Sequence, residues 1–271
     1  MNTFDLIEKR VSVRTFTERE VDPASRQTLL DYAATLKAPW GHEARFAWVP
    51  VTPSDREAQR FGTYGMIQGA QLYLAGAMKQ GPGAAEDFGY LFEGILLKAT
   101  ELGLGTCWLG GTFRRGDFTQ ALALLDDEFI PAVCPVGYAS PTKRLKEKLI
   151  GTVFQVRQRK PLKDWAIVEG EPGEYREALE AVRLGPSASN KQPWRVHLAN
   201  GRAHFYLEET PGYNAESVAR CGFPIQRLDM GIAFYHWERV LSDQGLVGAW
   251  TQNDPKITVP DKWEYVATWS R

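Results

Sequence analysis

The 271-residue sequence predicts an α+β fold built from two modules of one plan, and three observations predict it. Helix-period and strand-period segments run in one order through residues 1–160 and again through 161–271. GLGTCW at Gly103–Trp108 returns as GLVGAW at Gly245–Trp250, a constant step of 142 (245 − 103 and 250 − 108), each time after a long helical pattern. Pro39-Trp40 stands before a strand pattern as Pro193-Trp194 does.

In the first module, Phe4–Arg10 reads as a short amphipathic helix, and Asp22-Pro23 opens a second through about Lys37 with Leu29, Leu30, Ala33 and Leu36 on one stripe. Arg45–Val51 and Gln71–Ala77 suit strands, with the Gly-rich FGTYGMIQGA between them. Phe88–Leu102 carries Phe88, Leu91, Phe92, Ile95, Leu96 and Ala99 at three- and four-residue spacing and has Gly103 as its stop, so it predicts a buried helix. A helix near Phe118–Leu125, a strand at Ile130–Val136 and a basic linker from Pro141 to Pro161 complete the module. The second module repeats the order with a helix at Glu174–Val182, a polar loop at 186–193, strands at Arg195–Leu198 and Ala203–Leu207, and a long helix at Gln226–Asp243.

Composition narrows the function. The 32 Lys plus Arg nearly balance 33 Asp plus Glu, for a net charge of −1, so no global field draws the chain to nucleic acid or an anionic membrane. Cys107, Cys134 and Cys221 stand far apart with no C-x-x-C pair, which argues against a disulfide framework or a zinc knuckle and suits a reducing compartment. The charged start MNTFDLIEKR lacks the apolar run of a signal peptide, and no apolar stretch approaches the roughly 20 residues of a spanning helix. A soluble, cytoplasmic protein is the expectation. His42, His197, His204 and His236 show no metal-ligand spacing. GLGTCWLGG is not a dinucleotide fingerprint, because Trp108 takes the third glycine's place and the stretch follows a helix.

Two segments carry chemistry. Arg10-Val11-Ser12-Val13-Arg14 sets two guanidiniums and a hydroxyl at alternating positions, which an extended backbone turns to one side as an anion fork. The same residues also read as a solvated N-terminal arm. Pro186-Ser187-Ala188-Ser189-Asn190-Lys191-Gln192-Pro193-Trp194 offers many donors between a helix and a strand, where binding loops commonly lie, and reads equally as an ordinary turn.

Together R-x-S-x-R, PSASNKQPW, GLGTCWLGG and PVGY followed by basic residues resemble the FMN-dependent nitroreductases. The two degenerate halves further resemble the subgroup in which one chain mimics the usual homodimer. The resemblance implies two modules related by a pseudo-two-fold axis, each a mostly antiparallel sheet packed by helices, with FMN at their junction. It assigns the phosphate, ribityl chain and pyrimidine edge to Arg10, Ser12 and Arg14, with Lys143 and Arg144 adding to the phosphate pocket. Pro186, Ser187, Ser189 and Asn190 would reach across from the second module, Met66 would meet the pyrimidine edge, and the backbone of Leu109, Gly110 and Gly111 would meet the reactive ring nitrogen.

One complete set can be assembled, since the first half has Ala38-Pro39-Trp40-Gly41 in place of the Ser/Asn loop and the second lacks R-x-S-x-R. Ala188 departs from the second serine of many relatives, and extra helices over the flavin are not found. The implied activity is electron transfer from NADH or NADPH, through flavin, to a small nitroaromatic, quinone or similar acceptor. No catalytic side chain is demanded, and the chain would act as a monomer. The alternatives are a flavin-binding pseudo-enzyme or sensor without NAD(P)H turnover, and an interaction protein without flavin.

Overall fold

The computed structural model describes residues 1–52, 66–141 and 158–271. Helix α1 (Thr3–Lys9) starts from a reciprocal cap: Asn2 accepts the Asp5 N–H and Asp5 accepts the Asn2 N–H. Helix α2 (Pro23–Thr35) opens on Asp22, whose carboxylate accepts the Ser25 N–H, with proline in the first turn where no N–H is needed.

Strands β1 (Ala44–Pro50) and β2 (Leu72–Lys79) pair antiparallel, Ala44 opposite Met78 through Pro50 opposite Leu72. After them come α3 (Ala84–Glu101), β3 (Gly105–Thr106), α4 (Arg115–Ala121), β4 (Glu128–Phe129) and β5 (Val133–Gly137). The first sheet runs β1-β2-β5-β3, with β4 also beside β2. β2 is buried on both faces: Leu72, Leu74 and Met78 join the main core while Tyr73, Ala75 and Ala77 join a second cluster with Phe16, Phe118 and Ile130. Burial on both sides explains its continuous apolar run.

The second half contains β6 (Ala166–Val168), α5 (Arg176–Leu184), β7 (Trp194–Ala199), β8 (Arg202–Glu208), α6 (Tyr213–Cys221), α7 (Gln226–Asp243), β9 (Ala249–Thr251) and β10 (Trp263–Ser270). Its sheet runs β6-β7-β8-β10-β9, antiparallel except where β6 pairs parallel with β7. Without β6 this is the order of the first sheet, with the short strand that follows the long helix at the far edge each time.

The long helices carry the correspondence further. α3 and α7 each have 18 residues, start 142 apart, and are followed by Gly103 and Gly245 at φ +76° and +79°. They pack on one another through glycines that obey the same step: a Cβ at Gly89 would strike the Leu228 carbonyl, and one at Gly231 would strike the Glu86 carbonyl and lie 2.7 Å from the Tyr90 nitrogen. Missing side chains at both positions bring the two backbones together. One core spans the crossing, with Phe88 and Phe92 of the first half beside Phe234, Trp237 and Trp269 of the second.

Some expected elements form elsewhere. The helix expected at Phe118–Leu125 is α4, three residues earlier, because Arg45 takes the Leu122 and Ala123 carbonyls and Ala123 turns to φ +45°. The strand expected over Ile130–Val136 forms only from Val133, as β5, beyond Pro131, which has no N–H to give a ladder, and the two-residue β4 precedes the expected span. α6, β6, β9 and β10 were not expected. The expected linker lies largely outside the described residues. Among the described residues, no helix is long and apolar enough to cross a membrane.

Candidate functional site at the junction of the halves

The Arg10–Arg14 segment is not a solvated arm. Val13 donates to the Thr106 carbonyl of β3 at 2.8 Å, Gln68 donates to the Arg14 carbonyl at 2.9 Å, and Phe16 donates to the Gln68 carbonyl at 2.9 Å. The segment is thus clamped between β3 and residues 66–70, which brings Met66, two positions before Gln68, close to the Arg14 end. Ser12 pairs with Thr106 in the same bridge. Arg10 is 6% exposed, and its Nη1 has no hydrogen-bond partner. Arg14 Nε, Gln68 Oε1 and Thr106 Oγ1 are likewise buried without partners. Two of these groups lie on the arm and two on the segments paired with it, so buried donors and acceptors that folded proteins seldom leave unsatisfied meet here from three stretches of chain.

Arg10 faces Glu93 of α3, with Nε 3.6 Å from Oε1. Glu93 is wholly buried and also accepts the Trp108 Nε1–H at 2.7 Å and a hydrogen bond from His236 Nε2 of α7 at 3.0 Å. Burial alone would raise its carboxyl, but the His236 hydrogen bond, Arg10 and Trp108 outweigh that and hold it below its usual range. His236 Nδ1 lies 2.8 Å from the Ala181 carbonyl, which can only accept.

Trp108 leads directly into the glycine segment. Leu109 exchanges two 3.0 Å hydrogen bonds with Val133 and is buried. Gly110 sits against the second half, where an added Cβ would lie 2.6 Å from Ile225 Cδ1. Its carbonyl accepts from Arg115 Nη2 at 2.6 Å, and the Gly111 carbonyl faces Arg220 Nη1 at 3.5 Å.

The 186–193 loop is strained. Ser189, Asn190 and Gln192 have φ of +48°, +55° and +51°, a region that side-chain-bearing residues seldom occupy. It is held by cross-links: Ser187 Oγ accepts the Gln192 N–H at 2.9 Å, Ser189 Oγ meets the Tyr213 hydroxyl at 2.9 Å, and Ala188 N–H donates to Asp229 Oδ1 at 2.9 Å. Pro186, half-buried, enters it. The Asn190 amide is engaged on both ends, accepting from Arg159 Nη1 at 3.0 Å and donating to the Gln158 carbonyl at 2.9 Å. Burial, then repulsion from Arg10 and Arg183, lowers Arg159 to about 10.

Asp229 is the fourth residue of α7 as Asp87 is of α3. Asp87 accepts from the Trp40 N–H, the His42 N–H and His42 Nδ1 at 3.0, 3.0 and 2.8 Å, holding the 38–42 loop as Asp229 holds 186–190. Asp229 Oδ2, however, has no partner, and burial pushes its carboxyl well above the usual range.

The structure therefore joins Arg10, Ser12, Arg14 and Met66 to Leu109–Gly111 through Glu93 and Trp108, while Asn190 is bonded to Arg159 and Gln158, and Ser189 to Tyr213. Lys143 and Arg144 lie outside the described residues. Sequence reasoning missed Glu93, His236, Arg159, Gln68 and Asp229. Glu93 and Asp229 had left a signal as acids inside apolar helical patterns; the others had left none. No group of His, Cys, Asp and Glu among the described residues is placed to hold a metal. A cavity of about 310 Å³ at the β7–β8 turn, lined by Glu169, Tyr175 and Gly201, opens roughly 17 Å along β7 from Trp194 and shares no residue with this cluster.

Two sheet-and-helix halves crossing at one helix pair, with a polar cluster drawn from both, define a nitroreductase-type fold. Residues 2–240 match the family described as "Putative TM nitroreductase", and the chain belongs to that family. Its fold is similar to the crystal structure of a protein described as a "putative nitroreductase" from Thermotoga maritima, at 21% identity and TM-score 0.61, covering 99% of this chain and 93% of that one. A nitroreductase family protein from Clostridium difficile 630 matches at 21% identity and TM-score 0.47, over 60% of this chain and 96% of that one. A protein described as an FMN-dependent nitroreductase, from Clostridium difficile R20291, matches at 20% identity and TM-score 0.43, over 51% of this chain and 88% of that one. No curated protein matches the sequence.

Proposed function

We propose that this chain is an oxidoreductase that holds one FMN at the junction of its halves and passes electrons from NADH or NADPH to a small nitroaromatic, quinone or related acceptor. The observation that carries the reading is the set of buried, unpartnered groups on the arm and the two segments paired with it: donors on Arg10 and Arg14, an acceptor on Gln68 and a hydroxyl on Thr106. A phosphorylated ring system with both donor and acceptor edges satisfies such a set, and the unpartnered guanidinium donors of Arg10 and Arg14 suit its phosphate.

Bound flavin would supply the two-electron acceptance and release, leaving the protein to bind and orient it. Arg10, Ser12 and Arg14 would hold phosphate, ribityl chain and pyrimidine edge, with Lys143 and Arg144 in support. Met66 would border the pyrimidine edge. Leu109, Gly110 and Gly111 would bring backbone against the reactive edge, and the two glycines carry no side chain to hinder it. Pro186, Ser187, Ser189 and Asn190 would close the site from the second half, Asn190 turning part of its amide from Gln158 and Arg159 to the ring.

The repeated strand order, the 142-residue step and the paired glycines support a tandem repeat, with residues 1–160 and 161–271 playing the two subunits of a dimer. On this reading the protein is a cytoplasmic monomer with a scattering mass of 30.5 kDa, and twice that mass overturns the monomer.

The test is the absorbance spectrum of purified protein with and without added FMN, followed by anaerobic NADPH or NADH. Bleaching of a bound flavin band is expected. A colourless protein that takes up no FMN refutes the reading, and bound flavin that neither nucleotide reduces refutes turnover. Arg14→Ala and Asn190→Ala should each weaken flavin retention, and undiminished retention in both removes the site assignment.

A further inference from the structure

Arg115 and Arg220 approach successive carbonyls of the glycine segment from opposite halves of the chain. Arg115, the first residue of α4, donates from Nη2 to the Gly110 carbonyl at 2.6 Å, and its guanidinium lies 4.5 Å over the Phe113 ring. Both contacts fix its plane. Its Nε–H is buried without a partner. Arg220, exposed in the last turn of α6, places Nη1 3.5 Å from the Gly111 carbonyl, a contact weak enough to leave its donors free for a better acceptor.

Neither guanidinium has a carboxylate partner among the described residues. The acidic group beside Arg115 is the Cys221 thiol, itself 4.0 Å from the Gly110 carbonyl. Burial is the main cause that moves Arg115 below the usual guanidinium range despite that thiol, with a smaller part from Arg220. Uncompensated like charges brought together around one backbone segment are stabilised by an anion bound between them.

We propose that Arg115 and Arg220 form a two-sided clamp, one guanidinium from each half, for a carboxylate or phosphate on the small molecule that exchanges electrons beside Gly110. The clamp's place in the reaction rests on the flavin reading above, whereas the clamp itself does not. Its oxyanion has two sources: a carboxylate on the acceptor, or the 2′-phosphate that distinguishes NADPH from NADH.

The first measurement is calorimetric titration of benzoate and of inorganic phosphate into the wild type, Arg220→Gln and Arg220→Lys, each as purified and after removal of any bound flavin. At least one anion should bind the wild type once. Arg220→Gln should weaken it about tenfold or more, as expected when a charge-assisted hydrogen bond is lost, and Arg220→Lys should recover part of the loss. Arg220 lies exposed at a helix end, so its substitution leaves folding intact.

Binding in neither form, or equal binding by wild type and Arg220→Gln, overturns the clamp. Flavin-free protein should bind the anion as the purified protein does, so failure of the clamp and failure of the flavin reading are distinguishable. In flavin-loaded protein the kcat/KM ratio of 4-nitrobenzoate over 4-nitrobenzamide should fall in Arg220→Gln if the acceptor supplies the oxyanion. The ratio of NADPH over NADH should fall if the nucleotide does. Both ratios unchanged overturn the proposal.

Discussion

Removing the Glu93 carboxylate tests how the two halves are held at the site. Glu93 accepts from Trp108 at 2.7 Å and His236 at 3.0 Å and faces Arg10 at 3.6 Å, with side-chain exposures of 0% for Glu93 and His236 and 6% for Arg10. Glu93→Ala strands a buried guanidinium and a buried imidazole N–H, and breaking one side of such a pair costs about 3–5 kcal/mol. Against a total stability on the order of 5–15 kcal/mol this is a large fraction. Glu93→Gln keeps the shape but loses the charge and one acceptor, for about 1.5–3 kcal/mol.

The sign of the pH dependence follows from the depressed carboxyl. A group whose folded value lies below its unfolded one stabilises above the unfolded value, about 4.3 for glutamate, and loses that contribution as pH falls through the folded value. The wild type's advantage over Glu93→Gln should therefore be full at pH 7 and shrink below pH 4. Urea unfolding followed by tryptophan fluorescence at pH 7 and pH 3 measures both. A Glu93→Ala protein within about 1 kcal/mol of wild type, or a wild-type advantage over Gln that is the same at both pH values, would refute the ion-pair account.

Three further outcomes are expected. Gly231→Ala puts a Cβ 2.7 Å from the Tyr90 nitrogen and nearer still to the Glu86 carbonyl, so α3 and α7 must part; a loss of about 1–3 kcal/mol should appear as a lower Tm by scanning calorimetry, and an unchanged Tm would show that the crossing is loose. Asp229 is raised by burial, so the wild type should lose stability as pH rises from about 4 toward its folded value, whereas Asp229→Asn keeps an acceptor for Ala188 and should show no such loss; urea midpoints at pH 4 and pH 8 decide, and a parallel decline in both proteins would refute it. Hydrogen bonds from Arg45 hold Glu128 at about 2, so the stability that Arg45→Met removes should be present above pH 5 and fade as pH falls toward 2; a difference independent of pH in a denaturation series would refute this.

Much of the fold was legible because its helices and strands have strong periods. The pattern placed α7 at Gln226–Asp243 and α1, α2, β1, β7 and β8 within a few residues, since each turns one apolar face to a core. It did not find α6, whose buried positions are the polar Asn214 and Ser217, or the short strands β6 and β9, which are ordered by their neighbours. At the site, glycines and motif residues were visible because their chemistry is local, but the arm's alternation could not say whether Arg10 meets water or a buried carboxylate.

What the sequence determined by itself was the plan: two modules in one order, a step of 142 between GLGTCW and GLVGAW, and one half of a candidate site on each. Those features follow from propensity and periodicity, which act over a few residues. What only the tertiary structure decided was the company these residues keep. Glu93 meets His236, 143 positions away, and Arg115 and Arg220, 105 positions apart, reach carbonyls of adjacent residues. The Glu93–His236 pairing joins α3 to α7, and their close crossing depends on two glycines whose consequence is visible only when both helices are in place.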